Sequence, residues 1–105
     1  MIHLAADEKQ EKGWFLGPWN SVVPVPLGYA HSGVNERRYH EQMHEIYLVA
    51  RGQCTAVVNG ESIALKSGQI LVVEPGEIHT FSDSTDDYLH FVIQAPFLAG
   101  DKHLA

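Results

Sequence analysis

Short apolar runs separated by regularly recurring turn signals constrain the fold of this chain more than any other feature. Asn59-Gly60 lies between two strand-like runs and is the strongest short signal for a β-hairpin with a type I′ turn. Ser67-Gly68 and Pro75-Gly76 indicate further turns, so that turns recur about every 8–12 residues. No segment shows a helical repeat. The pattern predicts an all-β fold, either a sandwich or a small barrel.

The length of 105 residues is enough for one domain with a modest core. Strand-like runs begin after residue 21, where two prolines precede the first of them. We therefore expect an N-terminal arm or flap over residues 1–21, a β-barrel over 22–98 and a C-terminal tail over 99–105.

Composition excludes several classes of protein. The formal charge is −6 and the only adjacent basic pair is Arg37-Arg38, so a nucleic-acid-binding surface is not expected. No apolar stretch approaches the ~20 residues of a membrane span, and the first residues carry no secretory signal core. The single cysteine, Cys54, cannot form an internal disulfide and is read as a small buried hydrophobe. These features predict a cytoplasmic protein without a membrane or nucleic-acid partner.

Two strand-like runs, Ile46–Ala50 and Ile70–Val73, are apolar throughout and do not alternate with polar residues. A strand with one face in water should alternate, whereas a strand covered on both faces need not. In so small a domain the second cover has to come from the N-terminal arm or from another protomer. We therefore expect a homodimer.

Three residues with metal-ligating side chains, His40, Glu45 and His79, each stand at the start of an apolar run. A barrel brings such positions to one point, and two imidazoles with one carboxylate suit a divalent transition metal that keeps open coordination positions. Alternation places Tyr47 on the same side of its strand as Glu45, and His44 on the other side. His44 is a reserve ligand if the strand begins only at Glu45.

A further histidine, His90, lies in the last apolar run and shares a strand face with Tyr88 and Val92. It can line the pocket as an acid–base residue or an additional ligand. A structural hydrogen bond is the other interpretation.

The segment around His40 resembles the first signature motif of the cupin superfamily: His-x-His, three or four residues, Glu, six residues, Gly. His40, Glu45 and Gly52 fall in register with the second His, the Glu and the Gly of that motif. Arg38 stands where the first His would be.

The segment from Gly68 to Asp83 resembles the second cupin motif: Gly, five residues, Pro-x-Gly-x-x-His, three residues, Asn. Gly68, Gly76 and His79 match it, whereas Glu74 takes the position of the proline and Asp83 that of the asparagine. Together the motifs resemble those of small single-domain cupins, and this resemblance implies a double-stranded β-helix, or jelly-roll barrel.

In metal-binding cupins the resemblance implies ligands at His40, Glu45 and His79. Arg38 then has two interpretations. In the first, the three ligands hold Fe, Mn, Ni or Zn as a divalent ion and Arg38 binds an anionic substrate. In the second, the guanidinium pairs with Glu45 and takes the place of the metal.

The resemblance leaves three functions open, because cupins include both enzymes and binding proteins. The first is a metal-dependent enzyme acting on a small anionic or oxygenated molecule, with Arg38 orienting the substrate and Tyr47 or His90 assisting proton transfer. The second is a non-catalytic protein that binds a sugar or metabolite. The third is a metal-free sugar isomerase or epimerase, in which His40 or His79 works with Tyr47.

Overall fold

The computed structural model describes residues 1–105 as ten β-strands without a helix. The predicted all-β class is therefore confirmed, and no helix is present that is long and apolar enough to cross a membrane. The strands, in chain order, are β1 (Lys12–Leu16), β2 (Leu27–Ala30), β3 (Arg38–His40), β4 (His44–Arg51), β5 (Gln53–Val58), β6 (Glu61–Lys66), β7 (Ile70–Val73), β8 (His79–Ser82), β9 (Leu89–Ala95) and β10 (Lys102–Leu104).

The strands form two five-stranded antiparallel sheets. Sheet A has the order β1-β2-β9-β4-β7, and sheet B has the order β10-β3-β8-β5-β6. The chain crosses repeatedly from one sheet to the other, so β4 and β5 are consecutive in sequence but lie in different sheets. This arrangement is the expected jelly-roll barrel.

The predicted turns are present with the backbone geometry that their residues favour. Asn59 and Gly60 join β5 to β6 with φ values of 49° and 83°, as a type I′ turn requires. Gly68 and Gly76, at the other two turns, each have a φ of 84°.

The apolar core fills one half of the space between the sheets. Strand β4 alternates as expected, because Glu45, Tyr47 and Val49 are buried on its inner side. The core comprises Tyr47, Val49, Cys54, Ala56, Leu65, Val73, Phe81, Tyr88 and Val92. Cys54 is buried, as predicted for a small hydrophobe. The other half of the barrel contains polar side chains.

The chain beyond residue 98, expected as a tail, contributes a strand. β10 pairs with β3, so that Lys102 lies opposite His40. Just before this strand, the carboxylate of Asp101 accepts hydrogen bonds from the backbone N–H groups of Glu41, Gln42 and Met43 at 2.9–3.2 Å. Burial alone raises the pKa of Asp101, but the three N–H donors outweigh it and lower the pKa below the ordinary value. This carboxylate fixes the β3–β4 turn.

We predict that Gly52→Ala destabilises the protein more than Gly60→Ala. Both glycines have positive φ, at 68° and 83°, so each alanine carries the left-handed backbone cost of about 1 kcal/mol. At Gly52 an added Cβ also collides with the Thr85 side chain and lies 3.0 Å from Cα of Tyr88, whereas nothing lies within 4 Å at Gly60. The total loss at Gly52 should be about 3 kcal/mol by urea denaturation. Equal losses would contradict the steric explanation.

Candidate metal centre

The metal-ligating residues predicted from the sequence converge across the barrel. His40 and His79 come from the neighbouring strands β3 and β8 of sheet B, where Arg38 is paired with His79. Glu45 comes from β4 of sheet A. One nitrogen or oxygen from each of the three residues lies within 4.8 Å of the others, and all three side chains are buried.

The turn between β7 and β8 ties the two sequence motifs together. The N–H group of Gly76 donates a hydrogen bond of 2.6 Å to the carbonyl of His40. The turn therefore holds the end of β3 against the start of β8, where the rings of His40 and His79 lie 5.8 Å apart.

The Glu45 carboxylate is the centre of the site. Its Oε1 lies 3.0 Å from Nε2 of His40 and 3.1 Å from Nε2 of His79. The hydroxyl of Tyr47 donates to the same oxygen at 2.8 Å, and the Gln94 amide donates to Oε2 at 3.0 Å. Burial alone raises the pKa of Glu45, but the imidazoles and the Gln94 amide outweigh it, so the net pKa lies well below its usual range.

The ring nitrogens show that this cluster suits a cation. Nδ1 of His79 lies 3.0 Å from the carbonyl oxygen of Glu77, so it carries a proton and donates there. In the neutral imidazole, Nε2 then presents a lone pair to the Glu45 oxygen. Nε2 of His40 is buried and has no hydrogen-bond partner, although the same oxygen is 3.0 Å away. Ring nitrogens that face a carboxylate oxygen without a hydrogen bond from the ring are stabilised by a positive ion between them.

The distances also fit a metal. Two ligand atoms that are each about 2.1 Å from one ion, at right angles, lie about 3.0 Å apart. The two Nε2–Oε1 distances of 3.0 and 3.1 Å match this spacing. The hydrogen bonds from Tyr47 and Gln94 orient the carboxylate, and the Glu77 carbonyl fixes the His79 ring, as partners of metal ligands commonly do.

Arg38 lies next to this centre without touching the carboxylate. Its guanidinium donates to the carbonyl oxygens of Val34 and Glu36 and, at 3.2 Å, to the Tyr47 hydroxyl. It therefore reaches Glu45 only through Tyr47. The sequence allowed two interpretations of Arg38, and one of them was a direct ion pair with Glu45. This ion pair does not form.

The reserve ligand His44 is not part of the cluster. It is exposed at the first residue of β4, and the strand already alternates at that position. Its ring therefore lies on the side opposite Glu45, which corrects the idea that it can reach inward.

Tyr47 and His90, the other candidates for chemistry, are both buried. Burial, together with the Glu45 charge, raises the pKa of Tyr47 far above that of an ordinary phenol, so its hydroxyl stays protonated. Burial lowers the pKa of His90 to about 4, with a further contribution from the Arg38 charge. His90 is therefore neutral at pH 7, and its Nδ1 lies 2.6 Å from the Tyr88 hydroxyl.

A cavity of about 670 Å³ opens beside the cluster. This volume falls within the usual range for a small-molecule site. The deeper polar side chains in its wall are Arg38, His40, Glu45, His90 and Gln94. Nearer the surface the wall contains exposed side chains, among them Trp14 and Lys102. His79 does not line the cavity itself.

Gln94, an immediate partner of Glu45, was missed in the sequence. A signal was available, because alternation from His90 through Val92 places Gln94 on the same inner face of β9. A second cluster of possible ligands is formed by Glu41, Asp101 and His103, next to the β3–β4 turn. The Asp101 oxygens there are already bound by backbone N–H groups.

Comparison with known proteins agrees with this architecture. A family model described as "Cupin domain" matches residues 27–94, about two thirds of the chain. The chain belongs to the cupin family. No curated protein matches the sequence.

Solved structures share the cupin fold at low sequence identity. A cupin-like protein from Thermotoga maritima has a TM-score of 0.74 at 17% identity, over 90% of this chain and 74% of that one. Streptomyces PAC13 with uridine has a TM-score of 0.70 at 18% identity, over 100% of this chain and 92% of that one. A third similar structure is an uncharacterized conserved protein with a double-stranded β-helix domain from Klebsiella pneumoniae. Its TM-score is 0.64 at 27% identity, over 77% of this chain and 72% of that one.

We predict that His90 makes the protein less stable in acid. Its pKa is about 4 when folded and ~6.5 when unfolded, so between these values a proton binds preferentially to the unfolded chain. The contribution of neutral His90 to the free energy of unfolding is complete above pH ~6.5. It is lost as the pH falls towards 4, by about 3 kcal/mol at pH 4.

This loss can be measured by urea denaturation at pH 7 and pH 4 with a chelator present. His90→Gln should be less sensitive to acid than the parent by about 3 kcal/mol. His44→Gln is the matched control, because His44 is exposed. An unchanged pH dependence in His90→Gln would contradict the prediction.

Proposed function

We propose that this cupin holds one divalent transition metal ion with His40, Glu45 and His79, and that it binds a small anionic or oxygen-bearing molecule beside the ion. The carrying observation is the convergence of two buried Nε2 atoms on one carboxylate oxygen, where the His40 ring has no hydrogen-bond partner and the His79 ring, neutral with Nδ1 donating to Glu77, has no proton on Nε2. Fe, Mn, Ni and Zn all accept this ligand set. A bound ion of this kind would act as a Lewis acid or as an O₂-binding centre.

The protein's own groups prepare the cavity for an anion. The guanidinium of Arg38 has five N–H donors, of which three bind Val34, Glu36 and Tyr47, so that two remain. Arg38 is buried and lines the cavity. A buried cation with free donors favours a carboxylate or another oxyanion. The binding of uridine by a cupin of similar fold, Streptomyces PAC13, supports a small-molecule ligand.

A metal-free binding protein is the second candidate, and one observation favours it. The Arg38 charge is linked to Glu45 through the single hydroxyl of Tyr47, so it lies close to the position that the metal would take. A nearby cation repels a divalent ion. In this alternative the cavity binds the same class of ligand without chemistry, and Glu45 is satisfied by its hydrogen-bond donors alone.

We predict that the purified protein binds one Zn(II), Mn(II), Ni(II) or Fe(II) ion per chain. His79→Ala should weaken that binding at least ~100-fold. Loss of a group that only orients a metal ligand costs up to 100-fold, and this substitution removes a ligand itself. Isothermal titration measures the affinity. Saturating metal should also raise the free energy of unfolding of the parent by about 3 kcal/mol at 100 times the Kd.

The matched control is His44→Ala, which removes an exposed histidine from the same strand as Glu45. It should leave the affinity unchanged. Failure of all four ions to bind the parent stoichiometrically, or equal affinities for the parent and His79→Ala, would exclude the metal site. Either result would favour the metal-free alternative.

We also propose that the protein is a homodimer, and the outer face of sheet A supports this. Opposed residues of β2, β9, β4 and β7 form two apolar rows across four strands. One row is Leu27, Ile93, Ile46 and Val72, and the other is Tyr29, Phe91, Leu48 and Ile70. Neither row contains a charge, and Ile70 and Val72 are 62% and 44% exposed. Phe15 packs on Tyr29 and Phe91 at the β2 end of this face. The open remainder is an apolar patch of the kind typical of a protein–protein interface, and a second copy carries the same patch.

We predict a dimer at micromolar concentration by light scattering, and a monomer for Ile70→Lys. Ile70 is exposed in the single chain, so the substitution should not unfold it, whereas a buried lysine in the interface should prevent association. Ala64→Lys, at an exposed position of sheet B, is the control and should remain dimeric. A monomeric parent would exclude the dimer.

A further inference from the structure

The inner face of β9 carries a polar group that the metal centre does not use. His90 is 2% exposed and lies between Ala30 of β2 and Val49 of β4 in sheet A. It also lines the cavity, in the same wall as Arg38 and Glu45. Its one hydrogen bond to the protein joins Nδ1 to the Tyr88 hydroxyl, at 2.6 Å.

The direction of this hydrogen bond follows from the chemistry of its two groups. A phenol is a stronger donor than a neutral imidazole N–H group, and an unprotonated imidazole nitrogen is a stronger acceptor than a phenol oxygen. Tyr88 is therefore the donor and Nδ1 of His90 the acceptor, at 2.6 Å. Tyr88 also contacts the thiol of Cys54. A thiol is a poor acceptor, whereas an unprotonated imidazole nitrogen is a good one, so the phenol proton belongs to the bond with His90.

This direction determines the other ring nitrogen. When Nδ1 accepts, the proton of the neutral ring must lie on Nε2. No protein atom accepts a hydrogen bond from that Nε2–H group. A donor without a protein partner, on a residue that lines a cavity, points to a ligand or solvent acceptor.

We infer that His90 is a fixed, neutral hydrogen-bond donor for a carbonyl or carboxylate oxygen of the ligand, and that Tyr88 is the positioning residue that fixes its tautomer. The inference rests on the proposed function, because it places the ligand in the same cavity. It adds a second contact: Arg38 binds an anionic group and His90 binds an oxygen by its N–H group. It also assigns a donor role to His90 in place of proton transfer, since a neutral ring held in one tautomer polarises an oxygen without gaining a proton.

The tautomer can be read directly by ¹⁵N NMR of the histidine rings in the full-length, chelator-treated protein at pH 7. The signals of His90 are assigned by their loss in His90→Gln. We expect the parent to show the Nε2–H tautomer at His90. Tyr88→Phe should give a mixture of tautomers, and Tyr39→Phe, which removes a hydroxyl from a ring stacked on His103 outside the barrel, should not. An Nδ1–H tautomer in the parent, or no change in Tyr88→Phe, would overturn the inference.

Acetate serves as the probe for a carboxylate ligand in the same samples. It should shift the Nε2 signal of His90 in the parent, and its affinity should fall about 3- to 10-fold in Tyr88→Phe, as expected for one weakened hydrogen bond. The absence of a shift at His90 would overturn the ligand role. These measurements need no metal, so a failure of the metal site would leave them intact, and their failure would leave metal binding by the parent intact.

Discussion

One buried negative charge, the carboxylate of Glu45, determines how the polar half of this barrel is built. Moving an ion of this kind from water into a protein interior costs several kcal/mol unless hydrogen bonds or an opposite charge compensate it. Here the Tyr47 hydroxyl and the Gln94 amide donate to the carboxylate, and Nε2 of both imidazoles lies 3.0–3.1 Å from it. Glu45, Tyr47 and Gln94 lie in sheet A and the two histidines in sheet B, so the complete set of groups around the carboxylate forms only when the sheets are closed against each other.

Tyr47 connects this polar centre to the apolar core. Its ring packs on Phe81 within the core, and its hydroxyl bridges Arg38 and Glu45. One side chain therefore belongs to both halves of the barrel. The packing of the core fixes the position of that hydroxyl, and the hydroxyl in turn sets the distance between the guanidinium and the carboxylate. Changes in the core should consequently reach the site through this ring.

Residue types and their spacing predicted the fold class, the turns and the clustering of His40, Glu45 and His79. Asn59-Gly60 defines its hairpin through local backbone preferences alone, and alternation along β4 places Glu45 inside because a strand has a period of two. The hydrogen-bond partners of Arg38 could not be predicted from the sequence, because two of them are backbone carbonyl oxygens that every residue type provides. β10 was missed for a related reason: three residues without an apolar pattern become a strand only because β3 offers a free edge.

The hydrogen bonds of Asp101 have a consequence for how the site forms during synthesis. This residue fixes the backbone of the turn between His40 and Glu45, about 60 positions earlier in the chain. His40 and Glu45 therefore leave the ribosome well before the residue that secures their turn. Until Asp101 emerges, His40 and Glu45 belong to a nascent chain whose connecting turn is free to move. The turn between these two residues is thus completed by a residue about 60 positions later in the chain.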